Sequence, residues 1–143
     1  MMKSLTNICI MAVAAMALTV GSASAQLLKA EIPFTFRAGN ALMAPGAYEV
    51  NLSVSPSRSY FTLRNAETKA SVMLANFAIG DVTKTWKAKG APTLGFECVD
   101  AHCALRELWT ANDSNSYHFR GPKLGRDGDI HLTEIVMTRV KAD

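Results

Sequence analysis

The sequence has few of the residue patterns that identify an enzyme. Its 143 residues include three cysteines and three histidines. It contains no Gly-x-Ser-x-Gly elbow, no phosphate-binding glycine-rich loop and no His-Glu-x-x-His pattern. These absences exclude the hydrolases, nucleotide-binding proteins and zinc proteases that such motifs mark. We therefore assign no catalytic residue, no metal ligand and no cofactor from motifs.

The sequence also lacks an excess of charge of one sign. It holds 15 Lys and Arg against 12 Asp and Glu, a formal net charge of +3, and the two signs are mixed along the chain. Proteins that bind nucleic acids usually concentrate positive charge on one face or stripe. We therefore expect no nucleic-acid partner.

Long hydrophobic runs are missing except at the amino terminus. Lys3 precedes an apolar run from Ile8 to Val20, and residues 23–25, Ala-Ser-Ala, suit a signal peptidase. The run is about 13 residues long, whereas a membrane-spanning helix needs roughly 20. We predict a cleaved signal peptide over residues 1–25 and a single exported β domain over residues 26–143. This domain is expected to be periplasmic or extracellular, with no transmembrane segment.

Short segments with apolar residues at every second position follow one another through residues 26–143. Ile32, Phe34 and Phe36 share one face of the first segment, and Tyr48 and Val50 share one face of the next. Alternation of this kind, interrupted by turn residues, is typical of antiparallel sheet. The sequence predicts an all-β fold, either an antiparallel β-sandwich or a partly open barrel, with roughly seven or eight strands.

Two later segments allow more specific expectations. Residues 69–80, KASVMLANFAIG, follow a hairpin connection at NAETK and carry apolar residues on both faces, which predicts a central strand covered on both sides. Residues 129–140, DIHLTEIVMTRV, fit both a strand and a helical spacing. Their β-branched content favours a strand.

The stretch PGAYEV, residues 45–50, resembles the turn-and-strand element of transthyretin-like and carboxypeptidase-regulatory-like β-sandwich modules. A wider set of stretches, IPFTFRAGNALMAPGAYEV, YFTLRN and LGFECVDAHCALRELW, resembles small exported bacterial proteins of unassigned function. The resemblance implies a β-rich exported domain. It carries over no catalytic residue and no substrate.

The stretch CVDAHC, residues 98–103, lies between two segments of strand character. A hairpin with a four-residue loop places Cys98 opposite Cys103, within the Cα separation that a disulfide can bridge. An exported chain meets an oxidising compartment, which favours the bond. We predict a Cys98–Cys103 disulfide that fixes this hairpin.

The same register makes predictions about the neighbouring residues. Phe96 should lie beside Leu105 and Leu94 beside Glu107, with Trp109 on the same buried face as the cysteines. Glu107 is the only charged residue on that face. A β-bulge near Glu107 would turn its side chain outward.

A metal site centred on Cys98, His102 and Cys103 is the alternative interpretation of CVDAHC. Tetrahedral zinc usually takes four ligands, and this window lacks the second pair of cysteines or histidines. Redox exchange is disfavoured, because the spacing is not Cys-x-x-Cys.

Residues that could contact a ligand are sparse. Trp86 lies among Lys84 and Lys87 in KTWKAKG, a combination that suits a phosphate, a glycan or a membrane surface but is also typical of a solvated loop with a half-buried ring. His102 is expected in the exposed loop of the CVDAHC hairpin.

The residues therefore favour a non-catalytic exported module that binds a ligand or has a structural role, with an envelope component or a protein as partner. A hydrolase is the alternative, using His118 or His131 with an acidic residue brought near by folding. The metal-binding protein described above is the third hypothesis.

Overall fold

The computed structural model describes residues 26–54, 59–75, 78–112, 114–121, 124 and 129–140. The predicted signal peptide lies outside the described residues. Twelve strands and one short helix occur in this part of the chain. They are β1 (Gln26–Ile32), β2 (Phe36–Ala38), β3 (Ala41–Met43), β4 (Gly46–Val54), β5 (Ser59–Asn65), β6 (Ser71–Ala75), β7 (Ala78–Asp81), α1 (Lys84–Lys89), β8 (Thr93–Val99), β9 (His102–Trp109), β10 (Asn115–His118), β11 (Ile130–Val136) and β12 (Thr138–Arg139).

The strands form two sheets, a five-stranded one and a seven-stranded one. The five-stranded sheet has the order β12-β1-β4-β5-β6. The seven-stranded sheet follows the order β11-β8-β9-β10-β7, and β2, itself paired with β3, adds to β9. All pairings are antiparallel except that of β2 with β9, which is parallel. After Val136 the chain leaves the seven-stranded sheet and joins the five-stranded sheet as β12.

The two sheets pack face to face on one hydrophobic core. Alternation along the strands turns Tyr48 and Phe61 of the five-stranded sheet toward the other sheet. Their ring centroids lie 5.3 Å from that of Phe36 and 4.8 Å from that of Tyr117, respectively, in edge-to-face geometry. Edge-to-face packing of two aromatic rings is electrostatically favourable. The fold is the all-β sandwich that the sequence predicts.

Some expectations about individual strands are wrong. The sheets contain twelve strands where seven or eight were expected, because several have only two to four residues and leave too short an alternation to detect. Segment 71–75 is the last strand of its sheet, and Met73 is 66 % exposed, so β6 is not covered on both faces. The expected strand near the carboxyl end is confirmed by β11.

The NAETK hairpin owes its shape to Asn65. This residue is buried at the end of β5, and its Oδ1 accepts hydrogen bonds from the backbone N–H groups of Glu67 and Thr68 at 2.9 and 3.0 Å. The backbone N–H of Asn65 also donates to the carbonyl of Ala70 at 2.8 Å. The side chain thereby satisfies turn donors that no ladder partner reaches.

The CVDAHC hairpin opposes its cysteines as predicted, but the predicted four-residue loop is wrong: Val99 pairs with His102, which leaves a two-residue loop of Asp100 and Ala101. Cys98 lies opposite Cys103 in the β8–β9 ladder, and the two are joined by a disulfide with Cα atoms 4.1 Å apart. Phe96 lies opposite Leu105, which confirms that part of the register. All four side chains are buried in the core between the sheets.

Beyond Phe96 the register shifts, as the predicted bulge requires. Glu107 lies opposite Gly95, and Leu94 lies opposite Leu108, so the expected Leu94–Glu107 pair is wrong. Trp109 then pairs with Thr93 and is buried on the opposite face of the sheet from the cysteines, which corrects its predicted position. The extra residue reverses the alternation and sends Glu107 outward.

Among the described residues, the one helix, α1, has six residues, far fewer than a membrane-spanning helix requires.

We expect the disulfide to contribute about 2 kcal/mol to the free energy of unfolding, because it closes a short loop in the unfolded chain. The double variant Cys98→Ala with Cys103→Ala should lose that amount in urea unfolding followed by circular dichroism. Wild-type protein with reductant should behave like the variant, and the variant should not respond to reductant. Equal stability of oxidised and reduced wild type would contradict a role for the bond.

Candidate functional site

The outer face of the seven-stranded sheet, which points away from the core, carries the residues that sequence analysis singled out around Trp86. Helix α1 lies across this face. The Thr83 Oγ1 accepts a hydrogen bond from the N–H of Trp86 at 3.3 Å and begins the helix, and Gly90 ends it in the left-handed conformation at φ 66°. KTWKAKG is therefore a helical turn and not the solvated loop that was one expectation.

Trp86 packs over the β8–β9 bulge. Its side chain is 4 % exposed, and a Cβ added at Gly95 would lie 3.0 Å from its Cη2 atom. A methyl group at that position would crowd the ring, so glycine gives Trp86 its close approach to the sheet. Trp86 is thus nearly buried, where the sequence suggested a half-buried ring, and offers little surface to a ligand.

The other predicted contact residues do not converge on one site. Lys84 and Lys87 are exposed on α1. His102 is exposed at the start of β9, where it lines a groove of about 300 Å³ with Arg37 and Leu42. A separate small cleft beside Trp86 is lined by Arg106, Glu107, Leu132, Thr133 and Glu134, among others.

Three polar side chains do meet on the outer face, at the junction of β9 and β10. The hydroxyl of Ser116 donates a hydrogen bond of 2.6 Å to Oε1 of Glu107. The Nε2 atom of His118 lies 3.3 Å from that hydroxyl and 3.7 Å from that carboxylate oxygen. Gly80 on β7 makes room for the imidazole, since a Cβ there would lie 2.9 Å from Nε2.

This cluster brings His118 beside an acid, as the hydrolase hypothesis requires, but its geometry differs from a nucleophile–base–acid relay. In such a relay the imidazole lies between the hydroxyl and the carboxylate, with one ring nitrogen for each. Here Ser116 contacts Glu107 directly, and both lie near the same nitrogen of His118. Ser116 is also fully buried, so its hydroxyl is closed to a substrate.

His131 does not join this cluster. It lies on β11 opposite Cys98 and is exposed. Among the described residues it forms no ion pair with an acid. The structure therefore separates the two histidines that the hydrolase hypothesis offered as alternatives.

The disulfide uses both cysteine sulfur atoms that the hypothesised metal site would need. Metal-binding cysteines act as thiolates, and both sulfur atoms of the proposed Cys98, His102 and Cys103 site are bonded to each other. Within the described ranges, no group of three or more His, Cys, Asp or Glu residues is placed to hold an ion.

A row of exposed aliphatic side chains on β11 was not singled out from the sequence. Ile130, Leu132 and Val136 are 62 %, 77 % and 52 % exposed and share the outer face of the sheet with Glu134. The alternation in IHLTEIV indicates a strand, but both its faces hold apolar residues. The sequence alone does not show which face is outside.

No protein-family model matches this chain, and neither a curated protein nor a solved structure matches it. Its function has to be argued from its own residues and geometry.

We expect Gly95→Ala to lower the free energy of unfolding by about 1–3 kcal/mol, because the new methyl group crowds the Trp86 ring. In a Trp86→Ala background the same change should cost less, since the ring is gone. Urea unfolding of the two single variants and the double variant measures this coupling. Additive losses would contradict direct packing of Trp86 on Gly95.

We expect Ser116→Ala to destabilise the fold by about 1–2 kcal/mol, because Glu107 loses a hydrogen bond donated by a buried hydroxyl. Ser71→Ala is the matched control, since Ser71 is exposed on a strand of the other sheet. Thermal unfolding of both variants checks the difference. Equal, small effects would show that the cluster does not hold β9 to β10.

Proposed function

We propose that this chain is a non-catalytic, exported binding module, periplasmic or extracellular, that contacts a protein partner through the free edge of β11. The partner would supply an extended segment that adds to the sheet as a further strand. The observation that carries the proposal is the row of Ile130, Leu132 and Val136, exposed on a strand with one side that no other described strand pairs with.

The apolar row is unusual for a surface strand. Singly exposed aliphatic residues are common on proteins, but contiguous apolar surface more often marks a contact site. Three of the four outward-facing residues of β11 are aliphatic. The fourth, Glu134, faces Lys89 of α1 with 3.8 Å between the charged atoms.

The backbone of β11 is also open to a partner up to its carboxyl end, where β1 lies beside it. β11 is the last strand in its sheet and pairs with β8 alone among the described strands. Natural proteins usually protect such edges with proline, several charges or a covering segment. β11 contains no proline and has Glu134 as its one carboxylate. Strand addition is a common way in which an exposed edge recognises a peptide.

The direction of the backbone groups follows from the disulfide hairpin. Directly opposed residues in an antiparallel ladder are about 4.5 Å apart at Cα when they share no hydrogen bonds and about 5.5 Å when they do. The 4.1 Å separation of Cys98 and Cys103 is of the first kind. The N–H and C=O groups of Cys98 therefore point toward β11, where His131 lies opposite.

Backbone direction alternates along a strand, so His131, Thr133 and Ile135 direct their N–H and C=O groups to β8. The groups that point to the free edge belong to Ile130, Leu132 and Glu134, whereas those of Val136 point to the side where β1 lies. The same residues carry the exposed side chains. A partner strand would meet backbone donors, acceptors and apolar side chains together.

Export is supported by the disulfide, because such bonds persist in oxidising compartments and are rare in the cytosol. The hydrolase hypothesis stays a prediction. It has one favourable observation, the 3.7 Å separation of His118 and Glu107, against the burial of Ser116.

The experiment that tests the proposed function is selection of displayed random peptides on immobilised residues 26–143. We expect selected peptides to alternate aliphatic and polar residues, and to lose at least tenfold in affinity for Leu132→Glu. Met73→Glu is the matched control, because Met73 is an apolar residue, 66 % exposed against 77 % for Leu132, on the last strand of the other sheet. Affinities are measured by biolayer interferometry.

Two outcomes would overturn the proposal. Peptides that bind Leu132→Glu and wild type equally would place binding elsewhere. Turnover of p-nitrophenyl ester substrates that disappears in His118→Gln, with the fold retained by circular dichroism, would establish the hydrolase instead.

A further inference from the structure

We infer that the groove beside the disulfide hairpin binds a small carboxylate that carries a short aliphatic chain. The groove has a volume of about 300 Å³ and lies where β2 and β3 meet the start of β9. This volume is at the lower end of the range for small-molecule sites. The groove is separate from the β11 edge, because β8 and β9 lie between β11 and β2.

Strand pairing gathers three different side chains around this groove on the outer face of the sheet. Phe36 lies opposite Cys103 in the parallel β2–β9 pair, and both are buried in the core. Side chains alternate along a strand, so their neighbours Arg37 and His102 face outward. Leu42 lies opposite Arg37 in the β2–β3 hairpin and faces outward with it. A guanidinium group, an imidazole and an aliphatic side chain thus line one groove.

The polar side of the groove carries a positive charge that the fold leaves without a partner. Arg37 forms no ion pair and no side-chain hydrogen bond with another described residue. No Asp or Glu is among the described residues that line the groove. Glu97, on the neighbouring strand β8, pairs instead with Arg106 at 3.9 Å. The groove is therefore complementary in charge to an anion.

The set of donors in the groove favours a carboxylate as that anion. A guanidinium group presents parallel N–H groups that match the two oxygens of a carboxylate. The imidazole of His102 has an N–H donor in both protonation states, and Thr35 adds a hydroxyl to the lining. Phosphate groups are usually recognised by clusters of arginines. Arg37 is the one Arg or Lys among the described residues of this lining.

The apolar side of the groove favours a ligand with an aliphatic chain. Leu42 is 66 % exposed on β3. Because Leu42 lies directly opposite Arg37, a carboxylate bound to the guanidinium group has its first carbons beside Leu42. Contact between the chain and this side chain removes apolar surface of both from water, which is favourable. Ligand sites commonly combine an apolar lining with a few polar groups in this way.

NMR titrations of isotope-labelled residues 26–143 test the inference with matched ligands. Octanoate should shift the backbone amide signals of Arg37, Leu42 and His102. Acetate has the head group without the chain, and octyltrimethylammonium has the same chain with the opposite charge. Each should bind at least about tenfold more weakly than octanoate. Octyl phosphate should bind no more tightly than octanoate.

Substitutions at exposed positions test the two sides of the groove separately. Arg37→Gln should weaken octanoate binding about tenfold, because it removes the charged donor and keeps a long polar side chain. Leu42→Ser should weaken octanoate and leave acetate unchanged. Arg64→Gln is the matched control, because Arg64 is an exposed arginine on a strand of the other sheet, and it should bind octanoate as wild type does. Circular dichroism checks that each variant is folded.

The outcomes that contradict the inference are distinct. Octanoate that shifts no signal, or that binds no better than octyltrimethylammonium, would overturn the site. Tighter, Arg37-dependent binding of octyl phosphate would overturn the assignment of a carboxylate. Shifts confined to β11 would place the aliphatic chain on the row of Ile130, Leu132 and Val136 and would also overturn this site, whereas strand addition at that edge is decided by the peptide selection.

Discussion

The opposition of Cys98 and Cys103 is the constraint on which the rest of the seven-stranded sheet depends. Side chains alternate between the two faces of a strand, so a slip of one residue would turn Phe96 and Leu105 from the core to the solvent. A covalent bond between directly opposed residues forbids that slip. Because the bond also defines the direction of the backbone of β8, it determines which groups of β11 remain at the edge.

The bulge beside Gly95 gives the two faces of the seven-stranded sheet different residues to present. On the core side, Leu94 and Leu108 continue the apolar surface that begins at the disulfide. On the other side, the shifted register presents Glu107 to Ser116 and His118, while Gly95 leaves space for Trp86. Without the extra residue, Glu107 would lie in the core as an unpaired charge, which is costly. The polar cluster and the position of α1 thus have a common cause.

The sequence predicts what depends on neighbours along the chain and misses what depends on distant strands. The alternation of Tyr48 and Val50 and the spacing of the two cysteines are local, so the β fold and the disulfide hairpin could be inferred from them. The outward position of Met73 could not, because it depends on the order of strands in the sheet. The meeting of Ser116 with Glu107 likewise requires the pairing of β9 with β10 and the bulge together.

An exposed aliphatic edge is a hazard as well as a binding surface, and the position of Glu134 bears on both. In parallel stacking of identical strands, every residue faces its own copy, so Glu134 would oppose Glu134 along the whole stack. A single charge, two positions from Leu132 and two from Val136, therefore disfavours stacking of identical copies while it leaves the aliphatic side chains exposed to a different partner. An edge with Leu or Ile at that position would lack this distinction.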